Sequence, residues 1–268
     1  IASLVIFSGV LSVLSLVHAD TVESPEEKGL RIVTEWKRRD SGWQDYTADV
    51  TMVLKNKYGQ SSTRLFQYLT KEVSDGDVRL DGDKVMVIFE SPKAVEGTAL
   101  LTHAHLDRED DQWLYLPFRK RVKRLSSHDK TGSFVGSELA YEDIAFQEIQ
   151  KYTYKWIAEE EYEGILCDVI DRFPVDKDNT GYLYQRVWYD KEEVRIQKID
   201  FYDRKNSLLK TQAFSKYQLY NEKTWRNGLE ILVNHQTGKS TELTWTNYEF
   251  VKGLTDNQFR QEALERMQ

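Results

Sequence analysis

The stretch "KVMVIF" (84–89) is apolar on both faces: Val85, Val87 and Phe89 point one way, Met86 and Ile88 the other. "DQWLYLPF" (111–118) sets Trp113 and Tyr115 against Leu114, Leu116 and Phe118. "YLYQRVWY" (182–189) sets Tyr182, Tyr184 and Trp188 against Leu183, Val187 and Tyr189. A sheet with one wet face alternates apolar and polar positions, so strands apolar on both faces need cover on both.

Around these stretches the periodicity predicts strands over 46–55, 61–73, 84–92, 98–106, 113–118 and 120–126. After a Ser/Gly-rich connection and a short helix at 137–144, strands are expected at 151–157, 161–172, 182–190, 193–203, 207–219, 229–236 and 240–250. Links such as "NKYG", "DKDNTG", "DRKN" and "HQTGKS" punctuate them. Ser24-Pro25-Glu26-Glu27 opens a helix over 24–39, whose middle Gly29 weakens. A Thr/Asp start opens a closing helix near 256–267. The whole reads as one mainly-β domain over 20–268 without βαβ units.

Helical segments are too few to cover both faces of such a sheet. A strongly curved sheet, wrapped around a helix or closing on an interior space, meets the need. Such an interior suits an apolar ligand; the alternative is a solid β core. The candidate lining is Met86, Ile88, Trp113, Tyr115, Tyr184 and Trp188, although the opposite faces are nearly as apolar.

Composition narrows the function. A net charge of -7 and pI near 5.4 exclude a general nucleic-acid binder. The first 17 residues are uncharged and largely apolar, and Val17-His18-Ala19 resembles a signal-peptidase site, so 1–19 is expected to be a leader. Asp20 stands where a lipid-anchored protein would carry cysteine. The lone Cys167, expected as a buried thiol, forms no internal disulfide. Together these point to an exported, soluble, unacylated protein of a bacterial periplasm.

The strand after "WLYLPF" carries Arg119, Lys120, Arg121, Lys123 and Arg124. Positive charge on both faces suits a rim strand: a cationic lip for phosphate groups or an acidic partner, or a solvated edge. Phe134 and Val135, in the Ser/Gly-rich stretch 126–138, form a candidate flap over the cavity or an anchor to the core. His103 and His105 share a strand face as a weak candidate metal pair, against outward-facing histidines near a turn. No nucleophile elbow, paired-cysteine site or glycine-rich cofactor loop is present, so neither enzyme nor cofactor is expected.

"DDQWLYLPFRKRVKRLSSHDKTGSFVGSELAYEDI", beginning at 110, resembles the central signature of the outer membrane lipoprotein-sorting protein-like family, related to the periplasmic carriers LolA and LolB. "VTMVLKNKYGQSSTR", "GYLYQRVWYDKE", "FYDRKNSLLKT" and "NHQTGKSTELTW" support the resemblance across nearly all of 20–268. It implies a highly curved, unclosed antiparallel barrel with helices over the open side and a hydrophobic cavity of the kind that holds acyl chains. It implies no catalytic residue. The function expected is a carrier of lipid, lipoprotein acyl chains or a similar ligand, with an inner-membrane transporter or outer-membrane receptor as partner. The alternatives are an accessory subunit docking on an envelope exporter and a secreted hydrolase.

Overall fold

The computed structural model describes residues 23–75, 78–145 and 147–267; the leader expected over 1–19 lies outside the described residues. Helix α1 (Pro25–Arg39) precedes β1 (Asp45–Lys55), β2 (Ser61–Lys71), the short β3 (Ser74–Asp75) and β4 (Val78–Arg79), β5 (Lys84–Ser91), β6 (Ala99–His103), β7 (Asp111–Leu116) and β8 (Arg121–Arg124). A covering segment of turns follows, with α2 (Ser127–Lys130) and a 3-10 turn at Tyr141–Ile144. The second half holds β9 (Tyr152–Tyr162), β10 (Ile165–Pro174), β11 (Tyr182–Asp190), β12 (Ile196–Asp203), β13 (Leu208–Ser215), β14 (Gln218–Tyr220), β15 (Thr224–Arg226), β16 (Leu229–Asn234) and β17 (Ser240–Phe250). Helix α3 (Gln261–Glu265) comes last.

Thirteen strands form one antiparallel sheet in the order β8-β7-β6-β5-β2-β1-β17-β16-β13-β12-β11-β10-β9, its end strands unjoined. Val87 of β5 and Phe201 of β12 line the same cavity although six steps separate their strands. A flat sheet would hold them about 29 Å apart. The sheet is therefore strongly curved, and the cavity lies on its concave side.

Two apolar clusters occupy that side. One joins Tyr46, Val50, Met52, Phe66, Val87, Phe89 and Leu243 to Leu125, Phe134 and Leu139 of the covering segment. The other joins Ile170, Val187, Tyr189, Ile199 and Phe201 to Ile32 and Val33 of α1. The register makes both continuous, because Tyr68 stands opposite Val87, Phe66 opposite Phe89, and Val187 opposite Ile199.

Helix α1 begins where its sequence directs. Ser24 Oγ accepts from the Glu27 N–H at 3.2 Å, Glu27 Oε2 accepts from the Ser24 N–H at 2.9 Å, and Pro25 fills the first turn. Gly29 has a different role from the one expected. A Cβ there would lie 2.9 Å from the Trp156 nitrogen, so its absence lets α1 lie directly on the backbone of β9.

The convex face is covered as well. Met86, Ala99, Leu101 and Tyr115 form a cross-strand patch, and Phe259 and Leu264 of the C-terminal segment seal it. This is the second cover that the two-faced strands β5 and β7 require.

Candidate functional site

A cavity of about 660 Å³ separates the two concave clusters. Tyr46, Phe66, Tyr68, Val87, Leu243 and Trp245 form one wall; Trp36, Ile196, Ile199, Phe201 and Phe214 form the other. The covering segment contributes Leu139, Ile144 and Ala145, and the β14–β15 hairpin contributes Leu219, Trp225 and Arg226. This size is ordinary for a ligand site, and the large aromatic share suits apolar cargo.

Two charged groups of the cavity wall, Arg226 and Glu230, have partners within the protein. Arg226 Nη1 donates to Asp40 Oδ1 at 2.5 Å and to the Trp225 carbonyl at 2.8 Å, and its guanidinium lies over the Tyr46 ring at 4.9 Å. Burial opposes its charge, but the adjacent Asp40 carboxylate outweighs this and holds its pKa above the usual arginine value. Glu230 accepts from Gln212 Nε2 at 2.7 Å and Asn227 Nδ2 at 2.9 Å, while burial pushes its carboxyl up.

The covering segment is pinned by its two acids. Glu142 accepts from Thr180 Oγ1 at 2.7 Å and the Gly181 N–H at 2.9 Å. Asp143 accepts from Lys210 Nζ at 2.5 Å and the Tyr182 hydroxyl at 2.9 Å. Burial, reinforced by Asp143, pushes Glu142 up to about 7 from an ordinary 4.5. The folded chain thus holds this proton more tightly than the unfolded chain. Its stabilising effect is complete below the unfolded value and is lost as pH rises through the folded one. Between about pH 5 and about pH 8 the wild type is expected to lose roughly 1–3 kcal/mol more stability than Glu142→Gln, as urea unfolding at both pH values would measure.

The structure moves the expected lining to other places. None of Met86, Ile88, Trp113, Tyr115, Tyr184 and Trp188 faces the cavity. Met86, Ile88, Trp113 and Tyr115 belong to the convex patch beneath the C-terminal segment. Trp188 packs with Cys167 and Val169 behind the sheet, under Lys198 Nζ at 3.4 Å from its ring. Tyr184 stacks on Tyr202 at 4.3 Å. The lining comes from the alternate residues, such as Val87 beside Met86. On β5 and β7 hydropathy could not separate the two sets because both faces are covered, one by the cavity walls and one by the C-terminal segment.

The flap residues are anchors. Phe134 is 0% exposed, with its ring 5.6 Å from Phe89 and 5.6 Å from Tyr141; Val135, held at a φ of 46°, packs against the same core. The expected helix at 137–144 is instead bends followed by a 3-10 turn.

The histidines depart from the outward-facing expectation, and they do not act as a pair. His103 Nε2 donates to the Phe259 carbonyl at 2.6 Å beneath the C-terminal segment. His105, 6% exposed, sits between the carboxylates of Asp81 (2.8 Å) and Asp111 (3.1 Å). Both ring nitrogens of His105 are taken up by these carboxylates, and among the described residues no group of three or more His, Cys, Asp or Glu is arranged to hold a metal ion. Cys167 is buried, and desolvation pushes its thiol up to about 11, away from the thiolate a nucleophile needs.

Arg119, Lys120, Arg121, Lys123 and Arg124 are all exposed around the β7–β8 turn, next to Phe118, itself 76% exposed. Lys123 pairs with Asp129 at 2.8 Å, and Arg124 pairs with Asp111. Sequence reading passed over the hairpin at the cavity, β14–β15, because 207–219 scans as one strand.

The comparisons agree with this architecture. A family model described only as an uncharacterized protein matches residues 81–266. The crystal structure of a candidate outer membrane lipoprotein-sorting protein domain from Vibrio parahaemolyticus is 48% identical, with a TM-score of 0.85 over 90% of this chain and 100% of that one. A DUF1329 family protein from Desulfovibrio piger is 28% identical, with a TM-score of 0.84 over 90% and 99% of the two chains. A LolA superfamily protein from Nitrosomonas europaea shares the fold at 17% identity, with a TM-score of 0.69 over 88% and 98%. No curated protein sequence matches the chain. The fold is LolA-like, and the chain belongs to the outer membrane lipoprotein-sorting protein-like family.

Proposed function

We propose that the protein is a non-enzymatic carrier of the bacterial envelope, which holds a lipid or lipoprotein acyl chain in the concave cavity. The observation that carries this reading is the cavity itself: about 660 Å³ of space between two apolar clusters that could otherwise have met. Tightly packed interiors do not leave such volume without cost. Membership of a lipoprotein-sorting family supports the same class of cargo. No helix among the described residues is long and apolar enough to cross a membrane.

A second reading, an accessory subunit docking on an envelope transporter or receptor, is favoured by one feature. Phe118 projects beside Arg119, Lys120 and Arg121, for which no carboxylate partner is found among the described residues. An exposed aromatic ringed by free cations suits an acidic or phosphate-bearing surface.

Native mass spectrometry of protein purified from envelope extracts, followed by lipid extraction, tests the first reading. The carrier is expected to retain about one acylated molecule per cavity. Protein that is empty both after purification and after incubation with acyl lipids contradicts it; empty protein that retains an envelope partner turns the account to the second reading.

A further inference from the structure

Four arginines on the cavity wall hold a carboxylate: Arg38 and Arg39 share Glu35, Arg195 holds Asp190, and Arg226 holds Asp40. Arg172 differs. It lies on β10 at the cavity wall and is 3% exposed, yet no carboxylate among the described residues forms an ion pair with it. Its Nε donates to Gln185 Oε1 on the paired strand, and its guanidinium lies 5.5 Å from the Tyr152 ring centre. Both partners are neutral. The acids whose charge reaches Tyr152 have other partners: Asp143 is engaged by Lys210 at 2.5 Å and Tyr182 at 2.9 Å, Glu142 by Thr180 at 2.7 Å, and Asp110 by Lys151. The nearby Tyr189 hydroxyl is also buried without a well-formed hydrogen bond, close enough to feel the Arg172 charge.

A buried guanidinium lacking a counter-ion is unfavourable, and its planar fork matches an oxyanion. We infer that Arg172 is the counter-ion site for the cargo: the cavity takes an anionic amphiphile, its carboxylate or phosphate on Arg172 and its chain along Ile199, Phe201 and Phe214. The inference rests on the carrier reading and adds the chemical class of the ligand. A neutral triacylated or esterified cargo would leave the guanidinium unpaired.

Competition against a cavity-bound environment-sensitive dye tests this with paired probes: palmitate against methyl palmitate, and lysophosphatidate against monoacylglycerol. The wild type is expected to prefer at least one acid over its neutral partner by about ten-fold or more, the worth of a charge-assisted hydrogen bond. Which acid is preferred distinguishes a carboxylate cargo from a phosphate one. Arg172→Gln is expected to abolish the preference, so that acid and neutral probes displace the dye equally. Arg172→Lys, which keeps the charge without the fork, is expected to retain part of it. Equal binding of acid and neutral probes by the wild type overturns the inference and leaves the carrier reading standing. A preference that survives in folded Arg172→Gln also overturns it. If no probe displaces the dye, the inference and the carrier reading fall together.

Discussion

Replacing Phe134 by alanine is expected to lower stability by about 3–5 kcal/mol, the usual cost of emptying a buried aromatic site. The ring is 0% exposed and packs against Phe66 at 6.5 Å, Phe89 at 5.6 Å and Tyr141 at 5.6 Å. It is the peg by which the covering segment grips the concave face, with Leu125 and Leu139 beside it. The adjoining backbone hampers collapse into the space left. Val135 holds a φ of 46° and Gly136 a φ of 79°, a left-handed pair that fixes the turn. Phe118 supplies the control: it lies 16 residues earlier in the chain but is 76% exposed, and Phe118→Ala is expected to change stability by less than about 0.5 kcal/mol. Urea unfolding of both variants measures the contrast. Similar small losses in the two would mean that the segment does not depend on Phe134.

Much of the fold was legible because alternation and punctuation coincide. Strand β1 was expected over 46–55 and runs Asp45–Lys55; β17 was expected over 240–250 and runs Ser240–Phe250. Both are bounded by polar, glycine-containing turns that break an otherwise regular period. The β14–β15 hairpin lacked such a mark. The chain leaves β13 at Lys216 with a φ of 56°, and turns through Asn221 and Glu222 at φ values of 50° and 57°. Lysine and glutamate are not the residues that announce left-handed backbone, so tertiary packing imposes the bend.

The candidate site was legible in kind but not in position. Two-faced strands such as "KVMVIF" require two covers, and the structure has them. Which face borders a cavity and which borders a helix depends on where the C-terminal segment docks. Phe259 and Leu264 settle that by packing on Met86 and Tyr115. Nothing in the pattern of residues 84–89 encodes a contact made more than 160 residues later. Arg172 was missed for a related reason. A single arginine in "DRF" reads as an outward charge until the register sets it opposite Gln185, inside the curve of the sheet.

The cavity itself can be probed from the two sides that face it. Ile144, on the covering segment, and Ile196, at the start of β12, both border the space and are only partly buried, so each can carry a charge without forcing the whole sheet apart. A carboxylate on each side makes the interior unfit for an acyl chain, since an ionised group beside hydrocarbon loses its hydration. The most direct measurement is titration of an apolar, environment-sensitive dye into wild type and Ile144→Glu/Ile196→Glu, with circular dichroism confirming that both are folded. Saturable binding is expected for the wild type, with a loss of affinity of roughly hundred-fold or more in the double variant, from about 3 kcal/mol of lost apolar contact and added desolvation. Equal affinity in a folded double variant would contradict it.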